Sequence, residues 1–415
     1  MKLDRINRRK WLVYGAAVVG AALTCGPAVA QKGRLAGQEV RIGAIVPSSG
    51  PFAEWGRTNT VALKMLEDQI NASGGVDGAK LRIFVYDDGA RPAQAANLVR
   101  RLAEDDKVLA IAGPLTSSAV EVAFPVANQM KVVAMSQASS KPGVAALNRP
   151  WGFRDTVDEG VMARASVPYF KKTYKVSKVA MIYDAKDANS VAVATKIMPA
   201  VLKENGLDLL DAAKPLTFNT GDIDVSAQVT TLRSLNPDGI LIAADYSQAI
   251  TVLREMQRQG LNKPVIGASP LISEAILKAA PHIPIVAPGT FFYSEKGGKT
   301  RMDKFGAQLL PLLRKTPGLP AGISPSMFDA NIDEILDMYV DAVRHGGVTL
   351  KPADLASDRE KIQKFIEKGT FQGFAGKVSF NKDGDAIKTF FIVVGKDGKW
   401  NTVVRGCSGP GGKGC

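Results

Sequence analysis

The residues able to do chemistry are small and sit at the ends of apolar runs. Four stretches stand out: PSSGPFAEWG (47–56), GPLTSS (113–118), SQASS (136–140) and YDAKDANS (183–190). Hydroxyls and first-turn amides at such places hold anions. Ser117 and Ser118 would serve equally well as helix caps, but several such sites at successive run ends point to a ligand cleft. Signals for catalysis are thin. The chain has two histidines, His282 in a proline-rich loop and His345 at an expected helix end. It lacks a G-x-S-x-G elbow, an H-E-x-x-H pair and cysteine–histidine metal spacing. No catalytic residue, metal or cofactor is therefore expected. GGKT (297–300) imitates the end of a phosphate loop, but Tyr293 stands where that loop needs its first glycine, so nucleotide binding is not expected either.

These loops need a scaffold, and the hydropathy pattern supplies one. VRIGAIV (40–46), LRIFVYD (81–87), VLAIAG (108–113) and VVAMS (132–136) read as buried strands, separated by helical runs from Trp55 to Ala72, Pro92 to Glu104 and Ser117 to Met130. Gly74, Gly75 and Gly78 can take the left-handed conformation that ends one helix and turns the chain into the next strand. A second series starts near Asp158, with a helix to Lys172 and strands KVAMIYD (178–184), GILIAA (239–244) and PVIGA (264–268). Helices run between them from Asn189 to Glu204 and Tyr246 to Gln259. Further on, GTFFYS (289–294) reads as a strand, Ser326 to Arg344 as a long helix, and KVSFNKDGDAIKTFFIVV (377–394) as a hairpin turning at Asp383-Gly384. Continuous apolar strands alternating with amphipathic helices imply an α/β fold of two doubly wound parallel-sheet lobes.

Composition sets the setting. At 415 residues and 46% hydrophobic the chain suits two domains. Five basic residues precede an apolar run from Trp11 to Leu23, and Ala28-Val29-Ala30 offers a small-x-small cleavage site, so residues 1–30 are expected to be a signal peptide cleaved after Ala30. A membrane anchor is the alternative, though the run falls short of the ~18 residues a span needs. Arg8-Arg9 loosely resembles a twin-arginine export motif, and Cys25 is a poor match to a lipoprotein site. Cleavage would lower the net charge from +13 to +9. No basic block or aromatic-interleaved stripe is present, so nucleic acid is not an expected partner. Cys407 and Cys415 flank a glycine-rich stretch; they could pair in an oxidising compartment or remain as thiols on a loose tail.

Taken in order, RIGAIVPSSGPFAEWG, the stretch from INASGGVDGAKLRIFVYDD to GPLTSSA, WGFRDTVDEG and GDIDVSAQVTTLRSLNPDGILIAA resemble the leucine/isoleucine/valine-type periplasmic binding proteins of ABC importers, from about Glu39 to about Val394. The resemblance implies the type I periplasmic binding fold, two lobes joined by three crossovers that close on a small ligand. Expected boundaries are 39–156 plus 294–380 for lobe 1, 157–293 plus 381–396 for lobe 2, and a flexible tail at 397–415. The crossovers are expected near Arg154 to Val157, Phe292 to Ser294 and after Lys377. By resemblance, Ser117, Ala138 and Ser140 would hold a ligand carboxylate and Trp55 would pack against it.

Departures from the family fall on the other half of its site. Ser269 stands where amino-acid binders place a Glu for the ligand ammonium, and Ala188 followed by Asn189 where they place a Tyr. Asp245, beside Tyr246, is the available negative charge, but an unpaired ammonium in a closed cleft would be costly. An amine-free acid, aromatic or otherwise, fits the retained half and a cleft enlarged at Ala188. The expected function is capture of a small carboxylate-bearing solute in the periplasm, an amino acid or an aromatic or organic acid, for delivery to an inner-membrane ABC permease. A ligand-sensing module of a signalling receptor would use the same fold. A secreted hydrolase lacks a visible nucleophile–base pair.

Overall fold

The computed structural model describes residues 33–291, 293, 300–320 and 322–415. The export segment lies outside the described residues, as do the second crossover and GGKT apart from Tyr293 and Thr300. Among the described helices none is long and apolar enough to cross a membrane.

The first sheet is formed by β1 (Glu39–Val46), β2 (Lys80–Asp87), β3 (Ala110–Ala112), β4 (Val133–Ser136) and β5 (Gly152–Arg154), all parallel, in the order β2-β1-β3-β4-β5. Because side chains alternate along a strand, β1 feeds two cores. Val40, Ile42, Ala44 and Val46 pack with residues of α1 (Ala53–Ala72), whereas Ile45 joins those of α2 (Pro92–Glu104) and α3 (Ser117–Gln129). Both faces are covered, which is why the run reads as continuously apolar. At the end of α1, Gly75 takes φ +77° with a Cβ position 2.1 Å from the Ala79 carbonyl oxygen, so a side chain there would be strained by both dihedral and space.

The second sheet repeats the scheme with β6 (Lys178–Asp184), β7 (Asp208–Leu209), β8 (Leu216–Phe218), β9 (Gly239–Ala243), β10 (Val265–Gly267) and β11 (Ile285–Gly289). One face, including Ile182, Ile240 and Val265, packs with α7 (Ser226–Ser234), α8 (Tyr246–Arg258) and α9 (Glu274–Ala279). The other, including Val179, Leu241 and Ile266, packs with α4 (Glu159–Tyr174) and α6 (Met198–Glu204). A short α5 (Ala188–Ala192) runs into α6 through a π-helical turn at Val193–Ile197. Helices α10 (Arg301–Lys315), α11 (Met327–His345) and α12 (Leu355–Lys368) follow, with α11 beside α1.

The C-terminal part departs from expectation in three places. The strand expected at 289–294 instead ends at Gly289 and runs back to Ile285; the prolines at 284 and 288 obscured it, since proline argues against strand. The expected hairpin is short: β13 (Lys377–Phe380) pairs with β14 (Ala386–Ile387), and with β12 (Thr370–Gln372) they make a small antiparallel sheet. The chain then crosses at Lys388, and β15 (Thr389–Lys396) joins the second sheet, antiparallel to β11. Finally, 397–415 is not a tail outside the fold. Lys399–Cys407 forms β16, paired along β15, and Cys407 is bridged to Cys415 at a Cα separation of 5.8 Å. Asp397-Gly398 and the run Trp400, Thr402, Val403, Val404 are hairpin signals, overshadowed by the glycine-rich stretch from Cys407 to Cys415.

Buried charges hold the crossovers. The Arg154 guanidinium, fully buried, donates to Asp385 at 2.5 Å, to Asp158 at 2.8 Å and to the Lys141 carbonyl at 2.6 Å. Lys388 donates to Asp155 at 3.0 Å, to Asn331 at 3.1 Å and to Glu334. Burial raises the Asp155 carboxyl well above the usual range against the opposing pull of Lys388, and the neighbouring Glu334 charge adds to the rise. Glu334 is also penalised by burial, but the Lys388 charge and its hydrogen bonds hold it below the ordinary value.

Candidate functional site

In an open α/β sheet, ligands bind where successive connections leave to opposite sides. In the first sheet that point lies between β1 and β3, in the second between β6 and β9. The loops leaving these four strands meet around one cavity of about 30 Å³, lined among others by Phe52, Trp55, Thr116, Ser117, Ala138, Asp187, Asn189, Asp245 and Phe328. A volume of this size is on the order of one water molecule, so the lobes stand closed together.

Five expected residues therefore share one wall system: Trp55, Ser117, Ala138, Asn189 and Asp245. Ser117 is not the helix cap; Thr116 is, its hydroxyl accepting from the Ala119 N–H, and the Ser117 hydroxyl lies 2.8 Å from that of Ser139. The Ala138 N–H turns to the Ser136 hydroxyl at 3.4 Å. As at any helix start, the first amides of α3 point out of its end, towards the cavity that Ser117 lines.

The other expected residues stand just behind that wall. Tyr246 packs at a tilt against Trp55 with ring centroids 5.0 Å apart and hydrogen-bonds Glu54. Ser140 donates across the interlobe gap to Asn189 Oδ1 at 3.2 Å. Ser269 does not reach the cavity wall: its N–H and hydroxyl donate to the buried Glu159 at 3.0 and 3.2 Å.

Sequence reasoning missed Phe52, Phe328, Asp187 and Glu159. Phe328 packs edge-on against Trp55 at 4.4 Å. Its place was partly legible, because Ser326 and Asp329 form a reciprocal capping box that starts α11 two residues earlier. Asp187 caps α5, accepting from Ser190 N and Oγ at 2.7 Å each. Asp245 caps α8 in the same way, with Oδ1 accepting from Ser247 N at 2.9 Å and Oγ at 2.7 Å. Glu159 leads α4 and is brought to Ser140 and Ser269 only by tertiary packing.

The electrostatics are lopsided. Burial pushes Asp245 up to about 7, against its Ser247 hydrogen bonds, and the Asp187 and Glu54 charges add to the rise. Burial likewise raises Asp187 and Glu54, and lifts Glu159 to about 7 despite hydrogen bonds from Ser140 and Ser269. Among the described residues no Lys or Arg lines this cavity. The lobe-1 wall thus presents a helix start capped by a neutral threonine, and the lobe-2 wall two helix starts capped by carboxylates.

On the far side of Trp55 the cleft opens into a second cavity of about 150 Å³, between Glu54 and Thr58 of α1, the Ile272–Lys278 segment and the loop before α11. Trp55 is the partition between the two.

Two parallel-sheet lobes, crossover segments between them and a closed cleft at paired switch points define a hinged solute-binding protein. The chain belongs to the periplasmic binding protein family, whose model matches residues 39–399. It is similar to an amino acid binding protein from Pseudomonas aeruginosa, at 24% identity over 87% of this chain and 91% of the relative. Its fold matches that of a branched-chain amino acid transporter substrate-binding protein from Streptococcus pneumoniae in complex with isoleucine (TM-score 0.74, 20% identity, 89% of this chain and 99% of the other). It matches equally that of a solute-binding protein from R. palustris in complex with benzoate (TM-score 0.74, 18% identity, 91% and 99%).

Proposed function

We propose that this chain is the substrate-binding component of an ABC importer, which captures a small carboxylate-bearing solute by closure of its two lobes and presents it to a membrane permease from the periplasm. One observation carries the reading: Ser117 at the start of α3 and Asn189 and Asp245 at helix starts of the other lobe line a single interlobe cavity. A carboxylate at the α3 start gains charge-assisted hydrogen bonds without needing a buried cation. Contacts made to both lobes at once stabilise the closed state, so binding shifts a population of conformers. Family relatives whose names or bound molecules include isoleucine and benzoate support a carboxylate in both the amino-acid and the aromatic-acid classes.

The test is a thermal-shift screen of amino acids, short fatty acids and aromatic acids, followed by small-angle scattering of the protein with and without each hit. A carboxylate that raises the melting temperature and contracts the particle supports the reading. A hit that leaves the scattering profile unchanged counts against lobe closure.

A further inference from the structure

From Cys407 onward the chain is polar and rich in glycine, yet it is folded onto a hinge. β16 is the edge strand of the second sheet and pairs with β15 as far as Thr389, opposite Cys407. The next residue, Ser408, holds the third crossover. Its N–H donates to the Lys388 carbonyl at 3.1 Å, and its hydroxyl accepts from the Lys388 N–H at 2.9 Å and lies 3.0 Å from the Ala386 carbonyl oxygen. Gly409 is buried, with a Cβ position 1.8 Å from the Lys413 carbonyl oxygen and 2.9 Å from Ile387, so the loop turns back tightly over the crossover where a side chain would not fit. The Cys407–Cys415 bridge closes this loop. A loop with so little apolar surface gains little from burial, and closing it into a ring reduces the entropy it loses on ordering.

The same segment reaches the other lobe. The Arg405 guanidinium donates to the Ala375 carbonyl at 2.9 Å, and the Cys415 backbone comes to 3.7 Å from the Cβ position of Gly376. Ala375 and Gly376 lie in the turn between β12 and β13. That small sheet is attached to the first sheet, because Phe380 of β13 packs edge-on against Phe153 of β5 at 5.2 Å.

We propose that residues 400–415 are a staple across the hinge: the disulfide-closed loop fixes the third crossover through Ser408, and Arg405 ties the edge of the second sheet to the small sheet of the first lobe, which together limit how far the lobes open. The Lys388 ammonium extends the hold to the first crossover, since it pairs with Asp155. Residues 400–415 lie beyond the stretch that matches the family, 39–399, so the staple is an addition to the hinged frame. It acts on the hinge whatever solute the cleft takes.

Hydrogen exchange and small-angle scattering of the unliganded chain test this without a ligand. Cys407 and Cys415 are the only cysteines after residue 30, so a phosphine reductant and the double variant Cys407→Ser/Cys415→Ser open the same single ring. With the ring open, the Lys388 amide is expected to exchange about tenfold faster or more, and the radius of gyration to increase. Faster exchange confined to residues 400–415, with Lys388 protection and particle size unchanged, overturns the proposal. So does faster exchange at Lys388 in a particle of unchanged size, which makes the loop a local cap. Should the double variant fail to fold, Ser408→Ala and Arg405→Ala keep the bridge and remove one contact each; a larger unliganded particle in either supports the staple, and an unchanged one in both overturns it.

Discussion

Trp55 of the first lobe packs at a tilt against Tyr246 of the second with ring centroids 5.0 Å apart, and the same indole meets Phe328 at 4.4 Å. Trp55 is only 5% exposed here, although it sits on the first turn of a helix at the lobe edge. Phe52 and Phe328 cover it from its own lobe and Tyr246 from the other, so opening the cleft should return part of the indole to water. Excitation at the tryptophan band should therefore give an emission shift on ligand saturation, and Trp55→Phe should remove most of it. A full-sized shift in that variant would mean that another tryptophan reports closure.

Ser117→Ala removes a hydroxyl at the proposed carboxylate position and the hydrogen bond to Ser139. Carboxylate affinity should fall by about 1 to 3 kcal/mol. Titration calorimetry that finds affinity unchanged would put the carboxylate elsewhere in the cleft.

Ser140, behind the cavity wall, hydrogen-bonds the wall residue Asn189 of the other lobe. Ser140→Ala should weaken ligand binding by about 1 kcal/mol through the closed state, without touching the ligand. The expected signature in stopped-flow measurements is a faster dissociation rate with little change in association. A pure association-rate effect would argue against a role in closure.

Lys388 compensates Asp155 and Glu334 at a crossover between the lobes. Lys388→Met leaves two buried acids facing each other and should cost about 3 to 5 kcal/mol of stability by urea denaturation. Adding Asp155→Asn and Glu334→Gln to the same chain should recover part of it. No recovery would locate the damage in packing rather than charge.

Glu159 is buried, with its carboxyl raised to about 7. Its ordinary value is 4.5, so between these two pH values the folded chain holds a proton that the unfolded chain has released. This contribution is complete below the unfolded value and is lost as pH rises through about 7. The unliganded protein should therefore lose on the order of 1 to 3 kcal/mol across that window through this group. Glu159→Gln, which cannot titrate, should flatten the slope of melting temperature against pH. An unaltered slope would show that Glu159 is not the source.

The layered frame could be read directly from the chain because it depends on local pattern. Strands such as 178–184 and helices such as 92–104 follow from short-range periodicity, and the 74–78 turn from glycine's access to positive φ. The resemblance brought Trp55, Ser117 and Asp245 to attention, since they sit at strand ends whatever the topology. Other features were invisible for physical reasons. Strand β11 contains Pro288 and follows Pro284; its place is set by backbone pairing with β10 and β15, which no local pattern announces.

By itself, then, the sequence determined two α/β units, the loops at their strand ends and the neutral-capped start of α3. Only the tertiary structure decided which loops face one another, that Phe328 joins Trp55 from a helix more than two hundred residues away, and that Ser269 turns to Glu159 while Asp245 Oδ2 stays unpaired. Whether a buried polar atom has a partner depends on groups brought together from distant parts of the chain. No local pattern of residues encodes that sum.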